Sequence, residues 1–203
     1  MKKYAVLHEP GDIVTLAGTR FVVLDVERRG SLPDSLFLLA LESVGASEFG
    51  SSNNYAESDL KKAVDKWLED MDKKGLDNEK LITREINLTT LDGSGRYGKL
   101  SVKAAPLTLD EALKYADIIP NAEQWCWLAT GWGGSSKSDG DLALCVCSDG
   151  DWYNRYCTNS HGIRPALKAL SILFEDSEAG LDLSKIPTDD LLQKIHRRLA
   201  EKA

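Results

Sequence analysis

Residues 125–168 read WCWLATGWGGSSKSDGDLALCVCSDGDWYNRYCTNSHGIRPALK, and how this stretch is divided decides how the rest of the chain is read. It holds four of the five tryptophans and all four cysteines. Two short apolar runs, 125–129 and 142–147, flank a Gly/Ser/Asp-rich connection, the pattern of two buried strands joined by an exposed loop. Ser148-Asp149-Gly150 is a turn signal. The next ten residues, 152–161, are rich in aromatic and amide side chains and poor in aliphatic ones. That composition suits a binding surface better than a core strand, because Tyr and Trp give rigid contact area while Asn and Ser supply adaptable hydrogen bonds.

With 203 residues, 42% of them hydrophobic and 28% charged, the chain can bury a sizeable core and is expected to be ordered. The formal net charge of -7 argues against a nucleic-acid or anionic-membrane partner, since both demand a basic face. No run of about 18 apolar residues occurs, and the start has too short an apolar stretch for a secretory signal. The expected location is the cytoplasm, or a phage particle that carries the protein. Cys126, Cys145, Cys147 and Cys157 read as four small buried hydrophobes in a reducing compartment. Their spacing lacks the paired pattern of a zinc site, and no cofactor is expected.

Outside the central stretch, residues 13–16 and 21–26 read as a hairpin joined through Ala17-Gly18-Thr19, followed by a loop over 28–34 and a third strand over 36–41. Ser58 caps a helix whose apolar positions Leu60, Val64, Trp67, Leu68 and Met71 share one face, with Gly75 at its end. Trp67 is therefore read as a core anchor. Residues 78–83 suggest a helical turn and 85–91 a strand. The glycine-rich loop 92–98 lacks both the P-loop ending and the dinucleotide-binding spacing, so it is read as a plain turn. Thr108 and Glu111 form a capping box for a helix expected over 109–119. Beyond an acidic linker, residues 184–203 read as a separate amphipathic helix with Leu191, Leu192, Ile195 and Leu199 in one stripe.

Several pieces of this sequence match one pattern in order and spacing. They are Gly11-Asp12-Ile13-Val14 with Phe21-Val22-Val23-Leu24; Asn53-Asn54-Tyr55 with Ser58 and Leu60; Trp67-Leu68; Ala105-Pro106-Leu107-Thr108-Leu109-Asp110-Glu111; Trp127-Leu128-Ala129-Thr130; and Gly162-Ile163-Arg164-Pro165-Ala166-Leu167. Over residues 10–172 the chain resembles a bacterial and prophage domain family of unknown function with a C-type-lectin-like fold. That family is related to the variable proteins of diversity-generating retroelements and to the formylglycine-generating enzymes. The resemblance implies an α+β domain over residues 1–175, with a small twisted antiparallel sheet, two flanking helices and a loop-rich insert. Residues 176–203 would form the linker and C-terminal helix. It also implies structural roles for Trp127, Arg164 and Pro165, with Arg164 fixing the closing strand through an ion pair or through backbone carbonyls. The tail resembles a helical motif at the ends of phage-associated proteins, which makes residues 184–202 a candidate contact for a homo-oligomer or a phage-particle partner.

In the retroelement variable proteins the diversified residues lie just upstream of such a closing strand. The ligand-binding candidates here are accordingly Trp132, Trp152, Tyr153, Asn154, Arg155, Tyr156, Thr158, Asn159 and His161, facing a protein or glycan ligand. Trp152 and Tyr156 have a competing reading as inward-pointing cover for the sheet, because they share one strand face. The calcium-lectin motifs are missing. Asp139, Asp141, Asp149 and Asp151 are better read as solvated loop acids than as a metal site. Cys147 and Cys157 lack the lead-in of the formylglycine-generating enzymes, which leaves a thiol or copper oxidase as the weakest reading. No catalytic set is expected, since His161 has no nucleophile poised beside it in sequence.

Overall fold

The computed structural model describes residues 8–29, 32–134 and 140–174. The chain divides into two compact units, Met1–Leu173 and Phe174–Ala203, and the architecture below is that of the first. The acidic linker, the C-terminal helix with its apolar stripe, and Asp139 lie outside the described residues.

Strands β1 (Ile13–Leu16) and β2 (Thr19–Arg29) form an antiparallel hairpin with Leu16 opposite Thr19. The turn is the two residues Ala17-Gly18, both at positive φ (45° and 80°), rather than the three expected. Positive φ at both positions matches the right-handed twist of the flanking strands. Strand β3 (Leu32–Ala40) pairs with β2 as far out as Leu32 opposite Arg29, so the described residues of the loop expected over 28–34 belong instead to these two strands. Pro33 is tolerated because it lies beside a register irregularity, where a ladder N–H is dispensable. Strand β13 (Ala166–Leu170) pairs with β3, and β5 (Leu81–Ile82) and β8 (Ala104–Ala105) line its other edge, which completes a six-stranded antiparallel sheet.

Phe21, Val22, Val23 and Leu24 on β2 are all buried, which requires cover on both faces of this sheet. Helix α1 (Asp59–Lys73) covers one face: Ser58 Oγ accepts from Lys61 N, Leu60, Val64 and Met71 are buried, and the Trp67 ring lies 6.4 Å from Phe21. Helix α2 (Leu109–Lys114) belongs to the other face, and its capping box between Thr108 and Glu111 is complete. It stops five residues earlier than the expected end at Ile119, because Tyr115 leaves helical geometry (φ −110°). In that conformation the ring packs 5.7 Å from Phe37 and the hydroxyl donates to Asp25 at 2.8 Å.

The region expected as a loop-rich insert contributes four strands to a second, five-stranded sheet, and a short strand from before α1 completes it. Its order is β11 (Trp152–Tyr156), β10 (Leu142–Val146), β9 (Cys126–Gly131), β12 (Ser160–Gly162) and β4 (Ala46–Glu48), antiparallel except where β12 meets β9. Every residue of β9 is buried. Leu128 and Leu144 from this sheet pack with Val22, Leu24, Leu39 and Ala166 from the first and with Leu107 and Ala112 beside α2. Each leucine or valine among them contributes about 1.5–3 kcal/mol by leaving water. A two-stranded ladder, β6 (Arg84–Asn87) with β7 (Lys99–Val102), completes the β-structure described.

Asn53 ties the second sheet to its surroundings. Its buried amide donates to the carbonyls of Gly133 (2.7 Å) and Leu142 (2.9 Å), and its oxygen accepts from the Tyr97 hydroxyl (2.6 Å). Gly131 must remain glycine for the same reason, since a Cβ there would lie 2.8 Å from the Asn53 amide. Overall the unit is an α+β fold with mostly antiparallel sheets and two α-helices among the described residues. No described helix is long and apolar enough to cross a membrane.

Candidate recognition face

Among the described residues strand β11 is an edge strand of the second sheet, paired with β10 alone. Cross-strand partners share a sheet face. The register Trp127–Cys145–Tyr153 therefore places Tyr153 on the face of Trp127, and Arg155 follows two residues on. Trp125 precedes Trp127 by two and joins the same face. Its carbonyl accepts from Gly162 N at 2.7 Å, which draws β12 and His161 alongside. Gly162 permits that approach: a Cβ there would meet Cys126 Sγ, Gln124 Nε2 and Ser43 Oγ at 2.9 Å.

The result is a contiguous aromatic and basic cluster. The Arg155 guanidinium lies 4.1 Å from the Trp125 ring centre and 5.2 Å from that of Tyr153, and the two rings are themselves 5.2 Å apart. His161 stacks on Trp125 at 5.8 Å and meets the edge of Trp127 at 4.6 Å. Trp127 is the buried foundation: it is 1% exposed, packs edge-on at 5.5 Å against Phe49, and donates Nε1–H to the Ser47 carbonyl at 2.9 Å. Tyr153 is 41% exposed, so the cluster runs from the core to solvent. Arg155 Nη1 donates to the Asn154 carbonyl at 2.8 Å, and no described carboxylate pairs with it.

The nine sequence candidates are thus separated. Tyr153, Arg155 and His161 come together. Trp152 and Trp132 are half-buried and pack against the core between the sheets, so the inward reading holds for Trp152. Tyr156 shares that strand face but is 63% exposed, because it lies at the far end of the strand. Asn154 is half-buried on the same face. Thr158 and Asn159 occupy the turn into β12, where Asn159 N donates to the Tyr156 carbonyl at 2.8 Å. Trp125 was missed. It opens an apolar run, which reads as core, and only the pairing register exposes its side.

His161 is held below its ordinary pKa of 6.5, first by burial and then by the positive charge of Arg155. The native state therefore binds this proton less readily than the unfolded chain does. Stability contributed by the neutral ring is present above pH 6.5 and is lost as pH falls from there toward the lower native value. Substituting Arg155→Ala removes the repulsive charge, and NMR titration of His161 should show its pKa rising. A pKa that falls or stays fixed would mean that Arg155 does not sense the ring.

The four cysteines are free and buried. Burial pushes the thiols of Cys126 to about 11 and of Cys145 and Cys157 to about 12, while Cys147 donates its S–H to Asp149. Thiols so placed are poor nucleophiles. The native protein should leave all four unlabelled by a disulfide reagent at about pH 8 and label fully only in denaturant. Rapid native labelling of Cys147 or Cys157 would revive an oxidase. Among the described residues no three His, Cys, Asp or Glu side chains converge as a metal site. The loop 92–98 is held to the segment that follows β9 by Arg96 Nη1 on the Gly134 carbonyl (2.8 Å) and by Gly134 N on Asp92 (3.0 Å).

No family model matches the chain, and neither a curated protein nor a solved structure matches it.

Proposed function

We propose that the protein is a non-catalytic recognition module with a C-type-lectin-like fold, associated with a prophage, whose contact face is the outer edge of the second sheet. The face is centred on Arg155, with Trp125, Tyr153 and His161 around it, and it serves a protein or glycan ligand. One observation carries the reading. A guanidinium without a described carboxylate partner rests on a half-buried and an exposed aromatic ring, Trp125 and Tyr153, beside a buried tryptophan anchor. Aromatic and Arg side chains on a rigid base dominate the energetics of recognition surfaces. The fold reading is supported by strands from both ends of the unit sharing one sheet, with four of the second sheet's five strands built from the long excursion between α2 and β13.

The test compares wild type with a Tyr153→Ala, Arg155→Ala, Tyr156→Ala triple variant on glycan arrays and host-cell protein fractions, with calcium and with chelator. Wild type should retain a ligand that the folded triple variant loses. Equal binding by both would remove this face from the account.

A further inference from the structure

Strand β11 leaves one side of its backbone unused. Cys147 N donates to the Asp151 carbonyl at 2.9 Å and Cys157 N to the Asp141 carbonyl at 2.7 Å, so hydrogen-bonded pairs flank the β10–β11 ladder at both ends. Bonded and unbonded pairs alternate in an antiparallel ladder, which puts Tyr153 and Arg155 in bonded pairs with Cys145 and Ala143. The N–H and C=O groups of Trp152, Asn154 and Tyr156 therefore point away from β10. Two of these carbonyls already accept one bond each, Asn154 from Arg155 Nη1 and Tyr156 from Asn159 N, both at 2.8 Å. The Trp152 carbonyl and all three N–H groups find no partner among the described residues. Free edges are ordinarily blunted by proline, lysine or a bulge. The residues WYNRY of β11 include neither proline nor lysine, and their five pairs with β10 run without a register shift.

The strand is also close to self-complementary. Laid antiparallel against a second copy with Asn154 opposite Asn154, its outward groups at 152, 154 and 156 meet as bonded pairs. All three N–H groups of each copy then find acceptors, because a carbonyl with one donor keeps a second lone pair. Trp152 falls opposite Tyr156 of the second copy, an aromatic pair that covers the most exposed large apolar side chain described. Tyr153 falls opposite Arg155 of the second copy, cation against ring. Asp151 shares the Tyr153 face and becomes the diagonal neighbour of that same Arg155, within reach of a long side chain. Asp151 is exposed, and neither it nor Arg155 has an ion-pair partner among the described residues, so the two charges are complementary across the pair. Sliding by two residues one way sets Arg155 against Arg155. Sliding the other way sets Tyr156 against Gly150, which has left the extended conformation at φ 94°.

We infer that the free edge of β11 is a dimer interface: two copies of this chain pair their β11 strands antiparallel about Asn154 and join their second sheets into one continuous sheet. Pairing uses the backbone edge rather than ligand contact, so it goes beyond the recognition reading and does not rest on it. Arg155 serves both, and a ligand held by its guanidinium competes with the second copy.

The experiment measures the mass of the full chain by sedimentation equilibrium, with no ligand added, from about 1 µM to about 1 mM. Wild type should move from 22.3 kDa toward twice that mass, half-associated at roughly 100 µM or below. Asn154→Pro removes an outward N–H without breaking the ladder to β10, leaves Tyr153 and Arg155 in place, and should stay monomeric throughout, with folding checked by thermal melting. Asp151→Arg and Arg155→Asp should each weaken association roughly tenfold, and the two together should restore it to within a fewfold of wild type. If the proline variant does not fold, this charge exchange decides. A wild type that stays at 22.3 kDa overturns the inference, as does a folded Asn154→Pro that dimerises like wild type or a charge exchange that restores nothing. A monomeric chain whose β11 edge takes up an unrelated extended peptide overturns it as well.

Discussion

Replacing Trp127 by Ala is expected to cost about 3–5 kcal/mol, the largest loss from any single change in the second sheet. The ring is 1% exposed and touches Phe49 and His161, while its Nε1–H satisfies the Ser47 carbonyl on β4. Truncation opens a cavity in the centre of the sheet and removes the tie to its edge strand. A domain of this size has about 5–15 kcal/mol in total, so the variant should melt roughly 10–15 °C lower. Trp127→Phe should recover most of the packing but not the hydrogen bond, and it should fall between the two in denaturant midpoint. A Trp127→Ala protein as stable as wild type would mean that the sheet is not built on this residue.

The second large effect belongs to Arg164. Its side chain is buried just before β13, where Nε donates to the Ala40 carbonyl at 3.0 Å and Nη1 to the Pro120 carbonyl at 3.0 Å. No described ion pair involves it, so its work is done through backbone carbonyls at the end of β3 and after α2. Burial lowers its pKa from the usual guanidinium range, yet an arginine remains charged at every working pH. Arg164→Ala leaves two carbonyls without donors while relieving a buried charge. The expected net loss is about 2–4 kcal/mol, read from urea denaturation. Arg164→Lys should rescue less than half, because one ammonium cannot reproduce the guanidinium fork. Full rescue by Lys would show that charge alone is required.

Local signals gave reliable elements where the chemistry was local. Ser58 and the Thr108–Glu111 box mark helix starts because each satisfies an otherwise orphaned N–H within its own turn. Other errors came from tertiary effects. The Arg28 to Asp34 segment reads as loop because it is polar, yet its described residues lie in β2 and β3, which pair out to Arg29 and Leu32. Helix α2 ends early because Tyr115 is recruited by Phe37 and Asp25, a partner 90 residues away. At the candidate face, the aromatic-rich composition of 152–161 was legible, but which residues share a side was not. That assignment depends on the register of β11 against β10 and β9, and it moves Trp152 inward and brings Trp125 out. The row of Asp25, Phe37 and Lys168 across the first sheet is likewise not legible in the sequence, because these residues meet through strand pairing.

Strand β11 offers the most direct test of the recognition face, because its two sides can be altered separately. Two double variants, Tyr153→Ala with Arg155→Ala and Asn154→Ala with Tyr156→Ala, would be compared with wild type for affinity toward the ligand that wild type retains. The account predicts that the first loses roughly 30-fold or more, the loss of at least one hot spot, and that the second stays within a fewfold of wild type. A loss confined to the second pair, with the first binding normally, would contradict it.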